Sequence, residues 1–426
     1  MSQLKLFLKT YDHWMVSSRE WILLLTFFTL PLSKSAPLIL VFLFTVLWFL
    51  EPSKNKLIQL KTNKLCIILI IFYFIHPLSL LWSNDINFGI QRSLDYAWIL
   101  LIAITISQYE GGKFRSYLSS FVAGASIHAM FFYLGYFDIF HILNSTIDDP
   151  AMSGNRNTYG PLIAIASISM IYLTTTGTWI SFYKFSGLFL ALLLLITVLL
   201  NTSRTGHAVL ITLTLASIAY ISVLKKKRLL GAVGIAVFLS TIFVSVQFSD
   251  GLQSRISQAT NDIYLYETNP LTSTGIRISF YQNTIELQLE RSFTEQVIGS
   301  GVGDYVNDFN AFIEKKQEIL PGLRKSKEDA QGWNRFRDLH SQFLMNLLKF
   351  GYVGLFLIMA LTILFYNQQK KNRDFIITGL FISVFLALIV NSLSQSAMET
   401  RGLAPTYFLI LGIFFTNFHK NEKTHG

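Results

Sequence analysis

Four residues of this 426-residue chain have types that could work together on a charged substrate: His340, Arg204, Arg277 and Arg401. An arginine presents a planar, permanently charged fork that matches phosphate oxygens in pairs. Two or three of them suit the two or so negative charges of a diphosphate. A histidine titrates near neutrality, with an ordinary pKa of about 6.5, so it can take a proton from an attacking hydroxyl. Together these types describe a group transfer: the arginines hold a leaving phosphate and the histidine activates a nucleophile. A lone histidine is weak evidence, and His76, His128, His141 and His207 are the background against which His340 is weighed.

The elements that must position these residues are membrane helices. Hydrophobic residues make up 52% of the chain, charged residues only 14%, and the mean hydropathy is +0.45. This composition belongs to a polytopic all-α integral membrane protein. Twelve apolar stretches of spanning type lie near 18–33, 36–50, 65–82, 92–109, 116–136, 158–174, 182–201, 207–224, 229–248, 341–366, 375–394 and 403–418. The first two are short and read as a tight hairpin, with the first as a retained anchor. The organisation is therefore nine spans over 1–248, a large helical loop over 249–339, and three spans with a short tail over 340–426.

Basic residues orient the chain. With the N-terminus inside, nineteen Lys and Arg fall in inside segments and five (Lys34, Arg92, Arg156, Arg204 and Arg401) in short outside loops. This asymmetry puts both termini in the cytoplasm and the large loop on the far side. It also explains the KKKR run at 225–228 and the KKNR run at 370–373 as topology signals. The outside arginines lack that explanation.

Arg204 stands in Asn201-Thr-Ser-Arg-Thr205, a turn between two spans. Arg401 stands in Glu399-Thr-Arg401-Gly, in the last outside loop, and His340 opens the tenth span. Arg277 opens a stretch, 276–290, in which Ile278, Tyr281, Ile285 and Leu289 recur at helical spacing and share a face. Ser273 and Thr274 are its N-cap candidates. A guanidinium among the free amides of a helix start makes an anion site. Gly299-Ser-Gly-Val-Gly303 reads as a turn and not as a nucleotide loop, because no strand precedes it and the spacing is not G-x-G-x-x-G. A second, more polar helix follows over about 304–318, ended by Pro321-Gly322.

Other chemistries lack their residues. Asp148-Asp149-Pro150 and Glu328-Asp329 do not have the spacing of a metal set, so no metal and no cofactor are expected. The single Cys66 sits in an apolar run and precludes an intramolecular disulfide or a cysteine metal site. Asp95, inside the fourth span, calls for a partner, and Arg92 at i−3 is the one at hand. A transporter would show two related halves and charges at mid-membrane, and neither is evident here. The net charge of +10 is spread by membrane side, so nucleic acid is not an expected partner.

Several of these segments resemble the O-antigen ligase and polymerase superfamily. The resemblance rests on Thr202-Ser-Arg204-Thr, Gly275-Ile-Arg277, Gly299-Ser-Gly-Val-Gly303, and Leu339-His340-Ser-Gln-Phe-Leu before Lys349-Phe-Gly351-Tyr-Val-Gly354, with Gly154-Asn-Arg-Asn157 as a further match. It covers roughly 150–366. The chain departs at Ser341, where many members carry Asn, and this bears on fine positioning. The resemblance implies a metal-independent, inverting glycosyltransferase of the bacterial inner membrane. Its donor would be an undecaprenyl-diphosphate-linked glycan and its acceptor lipid A–core. Arg204 and Arg277 would hold the diphosphate and His340 would activate the acceptor; Arg401 joins the diphosphate set from topology alone. Within the superfamily, O-antigen polymerases and protein O-oligosaccharyltransferases share parts of the pattern and are the alternatives.

Overall fold

In the computed structural model the described residues are 17–51, 55–109, 111–141, 156–176, 180–201, 203–224, 228–248, 250–264, 272, 274–316, 338–369 and 375–423. Thr202, Ser273, Gly154, Asn155, Asp148-Asp149-Pro150, Pro321-Gly322, Glu328-Asp329 and the basic stretch 324–337 lie outside them. All regular structure among the described residues is helical. In chain order the helices are α1 (17–29), α2 (Ala36–Leu50), α3 (Asn55–Thr62), α4 (Lys64–Leu78), α5 (Ile86–Asp95), α6 (Trp98–Ser107), α7 (Phe114–Tyr136), α8 (Arg156–Thr176) and α9 (Ser181–Leu200). The series continues with α10 (Arg204–Leu224), α11 (Arg228–Phe248), α12 (Asp250–Tyr264), α13 (Gly275–Glu290), α14 (Phe293–Ile298), α15 (Gly301–Lys315), α16 (Gln342–Gln369), α17 (Phe375–Ser394) and α18 (Ala404–Lys423).

The protein is a multi-pass, all-α membrane protein. Among the described residues, seven segments are long and apolar enough to cross a bilayer, and Ala36–Leu50 and Ala404–Phe415 are shorter apolar helices. The expected span near 92–109 is differently built. It divides into α5 and α6 around Tyr96 and Ala97, and the apolar segment runs from Ile86 to Ser107.

One end of the bundle carries Arg19 paired with Glu51 at 2.5 Å and Lys113 paired with Glu20 at 2.6 Å, while Lys56 donates to the Trp48 and Glu51 carbonyls at 2.7 and 2.6 Å. The lysine so closes the C-terminus of α2, where free carbonyls gather. Arg204, Arg277 and Arg401 lie at the opposite ends of their helices and loops.

Helices α12 to α15 are the polar insert. Its core is Phe280, Leu287, Tyr305, Val306, Phe309 and Phe312 packed on Leu339, Leu344, Met345 and Leu348. The first turns of α16 thus form one wall of the insert. The face shared by Ile278, Tyr281, Ile285 and Leu289 is not the buried one. Ser279, Phe280, Asn283, Thr284, Leu287 and Gln288 are buried, whereas Ile285 and Leu289 are 50% and 68% exposed. Two of the polar residues on that face close their hydrogen bonds locally: Asn283 donates to the Ser279 carbonyl at 2.7 Å and Gln288 to the Gln296 carbonyl at 2.7 Å. In a chain beside a bilayer, apolar exposure carries no fixed penalty, so apolar periodicity marks a face without saying what it meets.

The glycine-rich stretch is a packing joint. Gly299 (φ +70) and Gly351 (φ +57) both adopt the left-handed backbone that only glycine takes freely. A side chain on Gly299 would lie 2.4 Å from the Lys349 backbone, and one on Gly351 2.3 Å from the Gln296 carbonyl. The two glycines let α14 press against a break in α16. Near the break, the Leu348 carbonyl accepts from Ser300 N–H at 3.2 Å and Arg291 Nη1 at 3.2 Å. The amides that open α15 are also taken, Val302 by Ser79 Oγ at 3.0 Å and Gly303 by Ser83 Oγ at 3.3 Å. They are not free to cradle a phosphate, in keeping with the turn reading.

Candidate functional site

Helices α8 and α10 cross at Gly160 and Gly206, where a side chain on Gly206 would lie 2.9 Å from the Gly160 backbone. This close crossing fixes the start of α10. Ser203 caps it by accepting the Gly206 N–H at 3.0 Å, and its hydroxyl donates to Asn157 Oδ1 at 3.2 Å. Arg204, the first residue of α10, is held there. Its Nη1 donates to Asp262 Oδ2 at 3.0 Å and to Thr274 Oγ1 at 2.9 Å. Thr274 sits at the N-cap position of α13 but does not cap it with its side chain. That hydroxyl accepts from Arg204 and donates to Asp262 at 3.1 Å, while Thr272 Oγ1 receives the Gly275 N–H at 3.0 Å. The starts of α10 and α13 are thereby locked together, with their positive dipole ends converging.

Arg277 falls in the first turn of α13, as expected, and lies close enough to Arg204 to feel its charge. Burial first, and Arg204 second, disfavour its charged form. Among the described residues it makes no ion pair or hydrogen bond. The Asp262 carboxyl behaves oppositely: burial would raise its pKa, but the bonds from Arg204 and Thr274 hold it below the usual carboxylate range. Among the described residues, the two guanidiniums at these helix starts therefore have one paired carboxylate, that of Asp262 with Arg204. The surplus is positive, which is the electrostatic description of an anion site.

His340 reaches the same helix one turn further on. Its ring packs on Phe280 with centroids 6.3 Å apart, and Phe280 is three residues from Arg277, about 4.5 Å along the axis at 1.5 Å per residue. Next to it, Tyr281 OH donates to the Leu393 carbonyl at 2.7 Å and shares a 2.9 Å hydrogen bond with Ser341 Oγ. Ser341, the position of departure from the family pattern, is thus an anchor for α13. His340 itself is exposed, has a left-handed backbone (φ +51), and lies between buried Leu339 and Ser341. Its backbone N–H donates to Asp338 Oδ1 at 2.8 Å, which also accepts from Ser396 Oγ at 2.8 Å. Gln395, beside Ser396, donates to the Asn157 carbonyl at 3.2 Å and to Thr205 Oγ1 at 3.1 Å. A continuous set of contacts therefore runs from Arg204 and Thr205 through 395–396 and Asp338 to His340.

Arg401 is placed elsewhere. Its Nη2 donates to Asp95 Oδ1 at 2.9 Å, and the expected partner Arg92 stands 3.5 Å from the other oxygen of Asp95. Arg92, Asp95 and Arg401 rim a cavity of about 480 Å³ whose other walls include Tyr96, Asp338, Ser396, Glu399 and Thr400. Beneath it lies a charge pair that the sequence reading did not find. Lys349 is wholly buried two turns into α16; its Nζ meets Glu399 Oε2 at 2.5 Å and lies over the Tyr96 and Tyr305 rings at 5.0 and 4.9 Å. Gln342 Nε2 donates to the other Glu399 oxygen at 2.9 Å. A lysine inside an apolar run was the available signal, because such a charge is normally paired; the pairing across 50 residues was not readable. Asp262 and Asp338, which hold Arg204 and His340, were also missed and carry no local signature.

Of the other cations of the insert, Arg291 is structural. It bonds Gln288, Ser300, Asp308 and the Leu348 carbonyl, joining α13, α15 and α16. His76 and His207 bond backbone carbonyls, at 3.0 and 3.3 Å.

Residues 188–359 match the family model described as O-antigen ligase. Through this segment the chain is similar to the O-antigen ligase and polymerase superfamily. The matched segment runs from α9 into α16 and contains Arg204, Arg277 and His340. Arg401 and the Arg92–Asp95 pair lie outside it. No curated protein matches the chain. The match supports a ligase- or polymerase-type function of a glycosyltransferase-like membrane enzyme, with lipid-linked glycan substrates in general terms.

Proposed function

We propose that the protein is an O-antigen ligase: an inverting, metal-independent glycosyltransferase that moves a polysaccharide from undecaprenyl diphosphate to lipid A–core. We place it in the bacterial inner membrane, termini in the cytoplasm and α12–α15 in the periplasm. The observation that carries this reading is the nearness of Arg204 and Arg277 at two joined helix starts, with His340 packed on α13 one turn from Arg277.

The donor diphosphate binds the two guanidiniums, where the positive surplus lies. The acceptor hydroxyl oxygen attacks the anomeric carbon on the face opposite the diphosphate. The new glycosidic C–O bond forms as the C–O bond to the diphosphate breaks, and the bonding electron pair leaves on the diphosphate oxygen. His340 takes the hydroxyl proton and later releases it to solvent. Arg204 and Arg277 stabilise the charge on the leaving group, the largest kind of contribution a fixed site makes. Arg401 is left out of the diphosphate set, because it is paired with Asp95 at a separate cavity.

The test is transfer in reconstituted membranes, with His340→Ala expected to abolish ligation while the protein still folds and inserts. Near-normal transfer by that variant would remove His340 from the mechanism. A null strain separates the two leading readings. Free lipid A–core with long lipid-linked polymer marks a ligase; lipid A–core capped by single repeats marks a polymerase.

A further inference from the structure

The cavity rimmed by Arg92, Asp95 and Arg401 differs in kind from the arginine pair. Its walls combine three acids (Asp95, Asp338, Glu399), two arginines, and the hydroxyls of Ser396, Thr400 and Tyr96. Lys349 neutralises Glu399 from beneath, so three cations answer three carboxylates. The arginine pair, by contrast, opposes two cations to one carboxylate among the described residues. A balanced set offers no net attraction to a phosphate. It does offer dense, mixed donors and acceptors, which is what vicinal hydroxyls require, each being donor and acceptor at once. The volume of about 480 Å³ falls within the roughly 300–1,000 Å³ of small-molecule sites. Asp338 belongs both to this cavity wall and to the support of His340, through its 2.8 Å bond from the His340 N–H. A hydroxyl bound against Asp338 would stand next to the histidine.

We propose that this cavity is the acceptor subsite, and that it binds a neutral, polyhydroxylated sugar residue through Asp95, Thr400 and Arg401. This assignment rests on the transfer reading above and adds to it the place and the charge class of the acceptor sugar. It also gives Arg401 a role. The Asp95 carboxylate holds Arg92 and Arg401 in fixed orientations, as a rim of donors.

The test uses the full chain in nanodiscs with two readouts. The first is transfer kinetics, with acceptor and donor KM measured separately. Asp95→Asn, which keeps the shape, and Thr400→Trp, which fills the space, are expected to raise acceptor KM at least tenfold and leave donor KM unchanged. Arg204→Ala is expected to do the reverse. The second readout needs no transfer: saturation-transfer NMR with a neutral linear hexose trisaccharide. Signals are expected with the wild type and with Arg204→Ala, and are expected to be lost in Asp95→Asn and Thr400→Trp. If Thr400→Trp does not fold, Asp95→Asn decides. Wild-type transfer with an acceptor KM indifferent to a folded Asp95→Asn overturns the subsite and leaves the transfer reading intact. A wild type that transfers nothing, yet binds the trisaccharide in an Asp95-dependent way, keeps the subsite and overturns the transfer reading. Stronger binding of a phosphorylated than a neutral trisaccharide overturns the charge argument.

Discussion

Asp338 Oδ1 accepts the backbone N–H of His340 at 2.8 Å, across a residue whose φ is +51. A left-handed backbone at a residue with a Cβ costs free energy and persists only where its surroundings hold it. Asp338 is the holder, and Ser396 Oγ fixes Asp338 in turn. The carboxylate therefore acts on the position of the imidazole. Asp338→Ala is expected to lower kcat about tenfold, with donor KM unchanged; a hydrogen bond worth about 1–1.5 kcal/mol converts to roughly that factor. Steady-state transfer assays with both substrates varied measure it. An unchanged kcat would mean that His340 holds its place without the carboxylate.

Arginine cannot be exchanged for lysine at the anion site. Arg204 reaches both Asp262 and Thr274 through Nη1, at 3.0 and 2.9 Å, and Arg277 lies beside it. A lysine keeps the charge and loses the fork. Each charge-assisted hydrogen bond lost is worth about 1.5–3 kcal/mol, or about ten- to a hundred-fold in affinity. Arg204→Lys and Arg277→Lys are expected to weaken donor binding by such factors in a titration with lipid-linked diphosphate. Affinity within twofold of wild type would separate these residues from the donor.

In the proposed transfer, two guanidiniums at converging helix starts would supply positive charge where the diphosphate leaves, which is the role a divalent cation fills elsewhere. Transfer is therefore expected to persist in excess EDTA. Abolition by the chelator, with rescue by Mg²⁺ or Mn²⁺, would overturn the arginine-only account.

The Arg204–Asp262–Thr274 lock has a pH signature. The Asp262 carboxyl is held below its ordinary value of 3.8, so its folded pKa lies under its unfolded pKa. The resulting stability is fully present above about pH 4 and is lost as pH falls through the folded value. Thermal melts of the reconstituted protein should therefore decline below pH 4, and less steeply in Asp262→Asn. Parallel declines in the two proteins would deny Asp262 this contribution.

The joint between α14 and α16 depends on two glycines with positive φ. Gly299→Ala or Gly351→Ala would place a methyl group 2.3–2.4 Å from backbone atoms that cannot turn away. Left-handed strain alone costs about 1–2 kcal/mol, and the clash adds to it. Melting is expected to fall by several degrees in either variant, with loss of the protease resistance of the insert. A melt unchanged in both would show that the joint relaxes freely.

The membrane architecture was legible because apolar run length is set by bilayer thickness, a constraint that needs no knowledge of tertiary contacts. The starts of α13 and α16, and so the placement of Arg277 and His340, were legible for a similar reason. The neighbours of these residues were not. Asp262 reaches Arg204 across 58 residues and Arg401 reaches Asp95 across 306. Topology put Arg401 on the same side of the membrane as Arg204, but sidedness does not fix which acid captures a guanidinium. The buried face of α13 was not legible, because the period of its apolar residues gives a direction on the helix and no partner. Its partner, the first turns of α16, lies more than fifty residues later in the chain.

The Lys349–Glu399 pair bears on how any mutational map of this protein is to be read. Removing either member leaves the other as an uncompensated buried ion, a defect worth about 3–5 kcal/mol. Such a loss can empty the membrane of folded protein. Screens scored by surface polysaccharide would then rank these two positions with His340, the proposed base. Only the amount of intact protein recovered from each strain tells the scaffold apart from the reagent.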